Sequence, residues 1–139
     1  MLKKRKLKTP KQKAKDAADK WFSLYIRLKY ASDTGMVKCY TCDTILHYKS
    51  MQNGHFITRS CNTLRFSEKN CRPQCMGCNI FKGGNYIEYT LRLIKEKGLT
   101  YVDNLRLMKH EIKQFTTEEL KKITKKYKNK VIKMSNYEG

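Results

Sequence analysis

Two Cys-x-x-Cys pairs, Cys39-Tyr-Thr-Cys42 and Cys75-Met-Gly-Cys78, constrain this chain more than any other feature. Two intervening residues put both sulfurs on one side of a tight turn, forming a knuckle that covers one edge of a tetrahedral metal. Two such knuckles close the shell. The pattern predicts a structural Zn²⁺ on Cys39, Cys42, Cys75 and Cys78. Residues 43–74 separate the pairs, more than a simple zinc ribbon needs, so a further unit is inserted between them. Cys61 and Cys71 read as buried thiols, with Cys71 as a substitute ligand the less favoured alternative. The basic stretch Met1–Lys15 is followed by no apolar run, and no run approaches the roughly 20 residues of a membrane span, so neither a secretory signal nor a membrane anchor is expected. That points to a reducing, cytoplasmic compartment, where cysteines bind metal more readily than they pair.

Charge narrows the partner. Lys and Arg number 31 against 12 Asp and Glu, a formal net charge of +19 on 139 residues. A polyanion is the expected partner, nucleic acid ahead of an anionic membrane surface. The charge is uneven: residues 1–15 carry eight basic groups and no acid, and read as a flexible arm that adds affinity without reading sequence. Hydrophobic residues make up 40% of the chain, enough for one modest core.

Periodicity predicts a helix over 16–31, with Ala17, Trp21, Leu24, Tyr25 and Leu28 as its apolar stripe. Met36–Tyr40 and Thr44–Tyr48 read as a hairpin around the first knuckle, Met51–Thr58 as a strand and Ser60–Arg72 as a loop. After Gly83-Gly84-Asn85, a helix over 86–97 presents Ile87, Leu91 and Ile94 and stops at Gly98. Val102–Phe115 reads as another helix. Thr116-Thr117-Glu118-Glu119 is a capping box opening a last, lysine-rich helix to about Val131.

The insert between the knuckles carries residues suited to chemistry. Hydrolysing a phosphodiester needs a base for water, a divalent cation on the phosphate and a rigid frame for both. His55, in Gly54-His55-Phe56, has the right intrinsic pKa for the base. Asn79, directly after the second knuckle, can offer an amide oxygen to a hard cation. Arg59, Arg65, Arg72 and Lys82 flank this region and can clamp phosphates, with a solvated surface as the alternative for each. Tyr40, Tyr48, Phe56 and Tyr86 can stack on unpaired bases, with core packing the commoner outcome.

The order Cys-x-x-Cys, His55, Asn70, Cys-x-x-Cys-Asn79 resembles the ββα-metal (HNH, or His-Me finger) nucleases that carry a structural zinc. It is also similar to the phage endonuclease VII type. The closer resemblance is to the phage NinG (Rap) recombination endonucleases. It rests on Tyr25-Ile26-Arg27-Leu28, the first knuckle, Gly54-His55-Phe56, Leu64-Arg65-Phe66, Glu68-x-Asn70, Gln74-Cys75-x-x-Cys78-Asn79 and Gly84-Asn85-x-x-Glu88-Tyr89. The resemblance implies an α+β fold: a small zinc-stabilised ββα-metal core together with the N-terminal helix over 16–98, preceded by the basic arm over 1–15 and followed by a basic helical extension over 99–139. It implies an endonuclease acting on Holliday junctions and D-loops, in a bacterial host and phage-encoded. His55 would be the general base, Asn79 would hold a catalytic Mg²⁺ or Mn²⁺, and Asn70 would brace the loop that orients His55. One departure stands out. Gly54 occupies the place before the histidine where many HNH nucleases have an acidic ligand, and Gln52 the place where NinG-like sequences tend to have aspartate. Glu88, Glu68 and Gln52 are the substitutes.

A junction has near two-fold symmetry, so a homodimer is expected, through the apolar side of the 16–31 helix or the helices after Leu99. Phage recombination proteins are possible further partners. The competing reading is a zinc-stabilised branched-DNA-binding accessory protein without catalysis. An RNA-binding zinc protein is a third, favoured only by charge and tyrosines.

Overall fold

The computed structural model describes residues 2–139; Met1, the first residue of the basic arm, lies outside them. The elements run α1 (Pro10–Lys29), β1 (Met36–Lys38), β2 (Ile45–His47), β3 (Gln52–His55), α2 (Asn62–Arg65), β4 (Cys71–Gln74), a π-helical turn (Gly77–Phe81), α3 (Tyr86–Lys97), α4 (Leu99–Met108) and α5 (Thr117–Ile132). The class is mixed α+β, with two separate two-stranded antiparallel sheets, β1–β2 and β3–β4.

The first helix starts earlier than its apolar stripe suggests. Pro10 occupies its first turn, where a missing N–H costs nothing, and the Thr9 side chain accepts the Gln12 N–H as N-cap. The second half of the basic stretch is therefore helical, and the exposed arm is 2–9. Its buried face is Ala18, Phe22, Tyr25, Ile26 and Leu28, a register close to the expected stripe. α5 packs along it, with Tyr127 against Phe22 and Tyr25 at ring-centroid distances of 4.9 and 5.0 Å. The apolar side of α1 is thus covered within the same chain.

The expected hairpin forms as β1–β2, Met36 opposite His47. Part of the expected 60–72 loop does not stay irregular. Residues 62–65 make one helical turn, and Cys71–Gln74 is a strand that pairs with β3, Gln52 opposite Gln74 and His55 opposite Cys71. The strand escapes pattern reading because all four of its residues are buried, including Arg72, Pro73 and Gln74.

α3 turns inward a face that shares only Ile94 with the expected one. Tyr89 and Leu93 are buried, whereas Ile87 and Leu91 are 79% and 57% exposed. Tyr89 and Leu93 enter a core shared with Phe56 and Val102, and the buried Tyr89 hydroxyl donates to the Gly54 carbonyl of β3 at 2.8 Å. Tyr89, Leu93, Val102 and Leu105 form a second core with Phe56, Ile57 and Leu64 beneath β3 and α2. α4 stops at Met108 rather than continuing to 115. Residues 109–116 form no helix before α5, and they carry Phe115 onto Phe66 at 5.4 Å. The capping box at α5 forms on one side, Thr116 Oγ1 accepting from Glu119 N at 3.1 Å.

Candidate metal centre and catalytic cleft

The two knuckles meet. The sulfurs of Cys39, Cys42, Cys75 and Cys78 all lie within 4.8 Å of one another, with Cys42 and Cys75 at 3.6 Å. Zn–S bonds of about 2.3 Å in a tetrahedron put sulfurs roughly 3.8 Å apart, so the four thiols can hold a zinc ion. The outer groups suit thiolates: Thr41 Oγ1 lies 3.6 Å from Cys39 Sγ, Thr44 Oγ1 3.1 Å from Cys42 Sγ, and Asn85 donates to Cys78 Sγ at 3.7 Å. Asn85 reaches in from a left-handed backbone, φ 47°. Of the spare cysteines, Cys71 is buried, and burial pushes its thiol pKa far up; Cys61 is half-buried. Neither joins the cluster.

The knuckles hold the ends of the β3–β4 hairpin. The Tyr40 N–H on the first knuckle donates to Pro73 O at 2.8 Å, and the second knuckle continues β4 straight into the π-helical turn. A cleft of about 590 Å³ opens beside this hairpin. β3 contributes Gln52, Asn53 and His55, the turn contributes Asn79 and Ile80, and α1 contributes Asp19, Ser23 and Arg27.

His55 is fixed by one hydrogen bond, its Nε2 lying 2.9 Å from the Arg65 carbonyl. A carbonyl can only accept, so Nε2 carries the proton and Nδ1 is the free lone pair. Burial lowers the imidazole pKa below its ordinary 6.5. The Arg65 carbonyl and the Asp19 charge work in the opposite direction. The ring is therefore a neutral base at neutral pH.

Asn70 braces the surrounding loop. It is 1% exposed; its Oδ1 accepts from Ile57 N at 2.8 Å, and its Nδ2 donates to Ile57 O at 2.8 Å and Leu64 O at 3.3 Å. This ties the end of β3 to the α2 turn that carries the Arg65 carbonyl. Asn79 Nδ2 donates to Gln52 Oε1 at 2.8 Å, joining the helical turn to the start of β3 and leaving Asn79 Oδ1 uncommitted.

The glycine before His55 has a structural explanation. Gln74, fully buried on β4, crosses to Gly54, and a Cβ added there would lie 2.6 Å from Gln74 Cγ and Cδ. Gln74 is itself anchored, donating to Thr41 Oγ1 at 3.0 Å and Gly84 O at 2.9 Å. No carboxylate fits at position 54 while Gln74 occupies that space.

The other candidates divide. Glu68 lies away from the cleft. It accepts from the Tyr25 hydroxyl at 2.9 Å and pairs with Lys29 and Lys130 at 3.3 and 3.8 Å. Glu88 pairs with Arg92 one turn on, 2.8 Å apart, also outside the cleft. Arg72 is 2% exposed, enclosed by the Tyr30 and Tyr40 rings and paired with Glu96 at 3.4 Å, so it is a structural cation and not a phosphate clamp. Arg65 is committed to Asp19 through Nε at 2.9 Å and Nη2 at 2.5 Å, and to Arg59 O at 2.9 Å. Arg59 lines the cleft with its side chain exposed, and exposed Lys82 stands next to the rim glycine Gly83. Among the aromatics, Tyr48 and Phe56 are buried, Tyr40 donates to Glu96, and Tyr86 stacks on Phe56 at 5.0 Å.

The α1 contribution is what reading by local pattern misses. Asp19, Ser23 and Arg27 are four residues apart and share one side of the helix. Arg27 donates from Nε to Ser23 O and from Nη1 to Tyr48 O, leaving Nη2 for a ligand. Asp19 is the only carboxylate lining the cleft among the described residues. The local hint is Arg27 within Tyr25-Ile26-Arg27-Leu28, a charged residue that the apolar stripe of the helix does not explain.

A family model described as the bacteriophage lambda NinG protein matches residues 1–138. Protein ninG of Salmonella phage P22 is 35% identical over 94 residues, covering 67% of this chain and 45% of that protein. Protein ninG of Escherichia phage lambda is 33% identical over 99 residues, 70% of this chain and 48% of that protein. The chain spans about half the length of the curated relatives it matches. No solved structure matches it. With the family match running to the penultimate residue, the chain belongs to the phage NinG family.

Proposed function

We propose that this phage protein is a structure-specific, divalent-metal-dependent DNA endonuclease that hydrolyses phosphodiesters in branched recombination intermediates. The observation that carries the reading is His55: its Nε2 is committed to the Arg65 carbonyl, so a ring lining a cationic cleft offers Nδ1 as base. The order of β3, β4 and the turn bearing Asn79, framed by four cysteines, supports a ββα-metal arrangement.

His55 Nδ1 takes the proton from the attacking water, and Asn70 keeps the ring's carbonyl anchor in place. Arg27 Nη2 and Arg59 bind the flanking phosphate oxygens. Asn79 Oδ1 and Gln52 Oε1 would hold a Mg²⁺ or Mn²⁺; they are neutral, hard oxygens of the type such ions accept. When bound, the cation neutralises charge developing on the phosphate and the leaving 3′ oxygen. Asp19 supplies no ligand while Arg65 occupies it. Products carry 5′-phosphate and 3′-hydroxyl ends. A homodimer in the host cytoplasm, alongside phage recombination proteins, fits paired incision of a junction.

The test is cleavage of labelled four-way, D-loop and linear DNA with Mg²⁺ or Mn²⁺ by the parent and by His55→Ala. General-base loss is worth about 10²–10⁴-fold in rate. The variant is expected to lose that much while keeping its zinc and its junction affinity. A parent that binds junctions tightly and cuts nothing establishes the accessory-protein reading instead, which the lack of an uncommitted carboxylate in the cleft favours.

A further inference from the structure

The rim of the cleft carries an exposed apolar pair that the chemistry above does not use. Ile80 is 57% and Phe81 80% exposed, directly after Asn79. They sit at the end of the π-helical turn, closed by Lys82 N to Gly77 O at 2.9 Å. Such turns displace the residues after them from the helical register. Here Asn79 stays on Gln52 while the next two side chains stand in solvent. The base of the turn carries Cys75 and Cys78 of the four-cysteine cluster, so a metal held there would fix where the pair projects. Gly83 and Gly84 follow at φ +56° and +92°, with nothing within 4 Å of where their Cβ atoms would be, so a backbone can approach closely there.

Charge selects the occupant. Lys82 is the only charged residue between Cys75 and Glu88, so this segment is apolar and cationic with no carboxylate. A second copy of a +19 chain would meet it with like charge, whereas a polyanion would be attracted. Apolar wedges between base steps are how proteins unstack and kink DNA, and strand exchange at a branch point interrupts the continuous stack that such a wedge must open. We infer that Ile80 and Phe81 form a wedge that enters DNA at the branch point, with Phe81 stacking on an exposed base while Asn79 and His55 address the neighbouring phosphate. The inference rests on the nuclease reading for its geometry, but it concerns binding alone.

The experiment uses full-length protein in a His55→Ala background, so that substrate stays intact. It compares a four-way junction bearing 2-aminopurine at the branch with a linear duplex of the same strands. Phe81→Ala is expected to weaken junction binding about tenfold, the scale of one lost base–aromatic stack. It should leave duplex affinity unchanged and abolish the fluorescence change at the branch. Phe81→Trp should restore both. Zinc content and melting temperature, measured on every variant, exclude misfolding. Equal losses on junction and duplex, or unchanged junction binding, overturn the wedge. So does conversion of a dimer to monomers with the junction-to-duplex ratio intact, which would make Phe81 a self-association surface. A parent protein that never cuts but shows the Phe81-dependent ratio sinks the nuclease reading and keeps the wedge.

Discussion

His55 is poised between opposed influences. Burial lowers its pKa from 6.5, while the Arg65 carbonyl and the Asp19 carboxylate raise it. A base must be neutral to act, so the cleavage rate should fall about tenfold per pH unit on an acid limb lying below pH 6.5. Removing the Asp19 charge leaves the Arg65 guanidinium unneutralised, and both effects disfavour the imidazolium. Asp19→Asn should therefore move the acid limb to lower pH while keeping most of the plateau rate, because the bond to the Arg65 carbonyl remains. A limb that moves to higher pH would show that Asp19 acts by some other route. The same shift enters stability. The folded pKa is below the unfolded one, so the unfolded chain binds the proton first as pH falls, and the stability present above pH 6.5 is lost as pH drops through the folded pKa. Of the three residues read from sequence as a catalytic set, His55 and Asn79 line the same cleft, while Asn70 is buried behind it and holds the end of β3 through Ile57. Glu68 and Glu88 were legible only as nearby carboxylates. Sequence distance carries no information about which side of α1 or α3 they face, and their basic neighbours take them up.

At the scale of elements, the cysteine cluster joins the β1–β2 turn to the end of β4 and the turn that carries Asn79. The sheets are only two strands each, and a two-stranded ribbon is marginal alone. Zinc bound there at a thousandfold excess over its Kd would contribute about 4 kcal/mol. Chelation, or Cys42→Ser, should lower the melting temperature, retain most of the far-ultraviolet helical signal from α1 and α5, and abolish cleavage by releasing Asn79. An unchanged melting temperature after zinc loss, measured by metal analysis on the same sample, would mean that the knuckles are held by packing alone. The four-cysteine cluster was legible because two-residue spacing is a local signature. β4 was not, because Cys71-Arg72-Pro73-Gln74 has neither alternation nor β-branched residues. Its burial comes from long-range partners: Tyr30, Tyr40 and Glu96 around Arg72, and Thr41 and Gly84 on Gln74. The face of α3 was read only in part, Ile94 but not Ile87 or Leu91, because the partners that select Tyr89 and Leu93 (Phe56, Ile57, Val102 and Leu105) come from distant segments.

At the scale of the molecule, α1 and α5 form a brace behind the cleft, and the C-terminal tail fastens its far end. Asn136 donates to the carbonyls of Leu28, Ala31 and Ser32, and the Glu138 N–H reaches the Tyr48 hydroxyl at 3.1 Å. At the other end of α1 the basic arm makes almost no contact with the rest. Residues 2–9 are exposed, and their one ion pair is Lys8 with Asp16. An arm that costs nothing to lose in stability yet carries dense charge should act only through the polyanion. Deleting residues 2–6 removes Lys3, Lys4, Arg5 and Lys6 but leaves the Thr9 cap and Lys8 intact. Stability should change by less than about 0.5 kcal/mol, as for surface changes in general. The binding response should be large. Each neutralised phosphate contributes about −0.9 to the slope of log K against log salt on duplex DNA, so four lost cations should flatten it by up to about 3.6. The loss should fall equally on junctions and linear duplex, because phosphate contacts carry no information about shape at that distance. A preferential loss on junctions would assign the arm a role in recognising the branch, and an unchanged slope would mean that the arm does not reach the DNA.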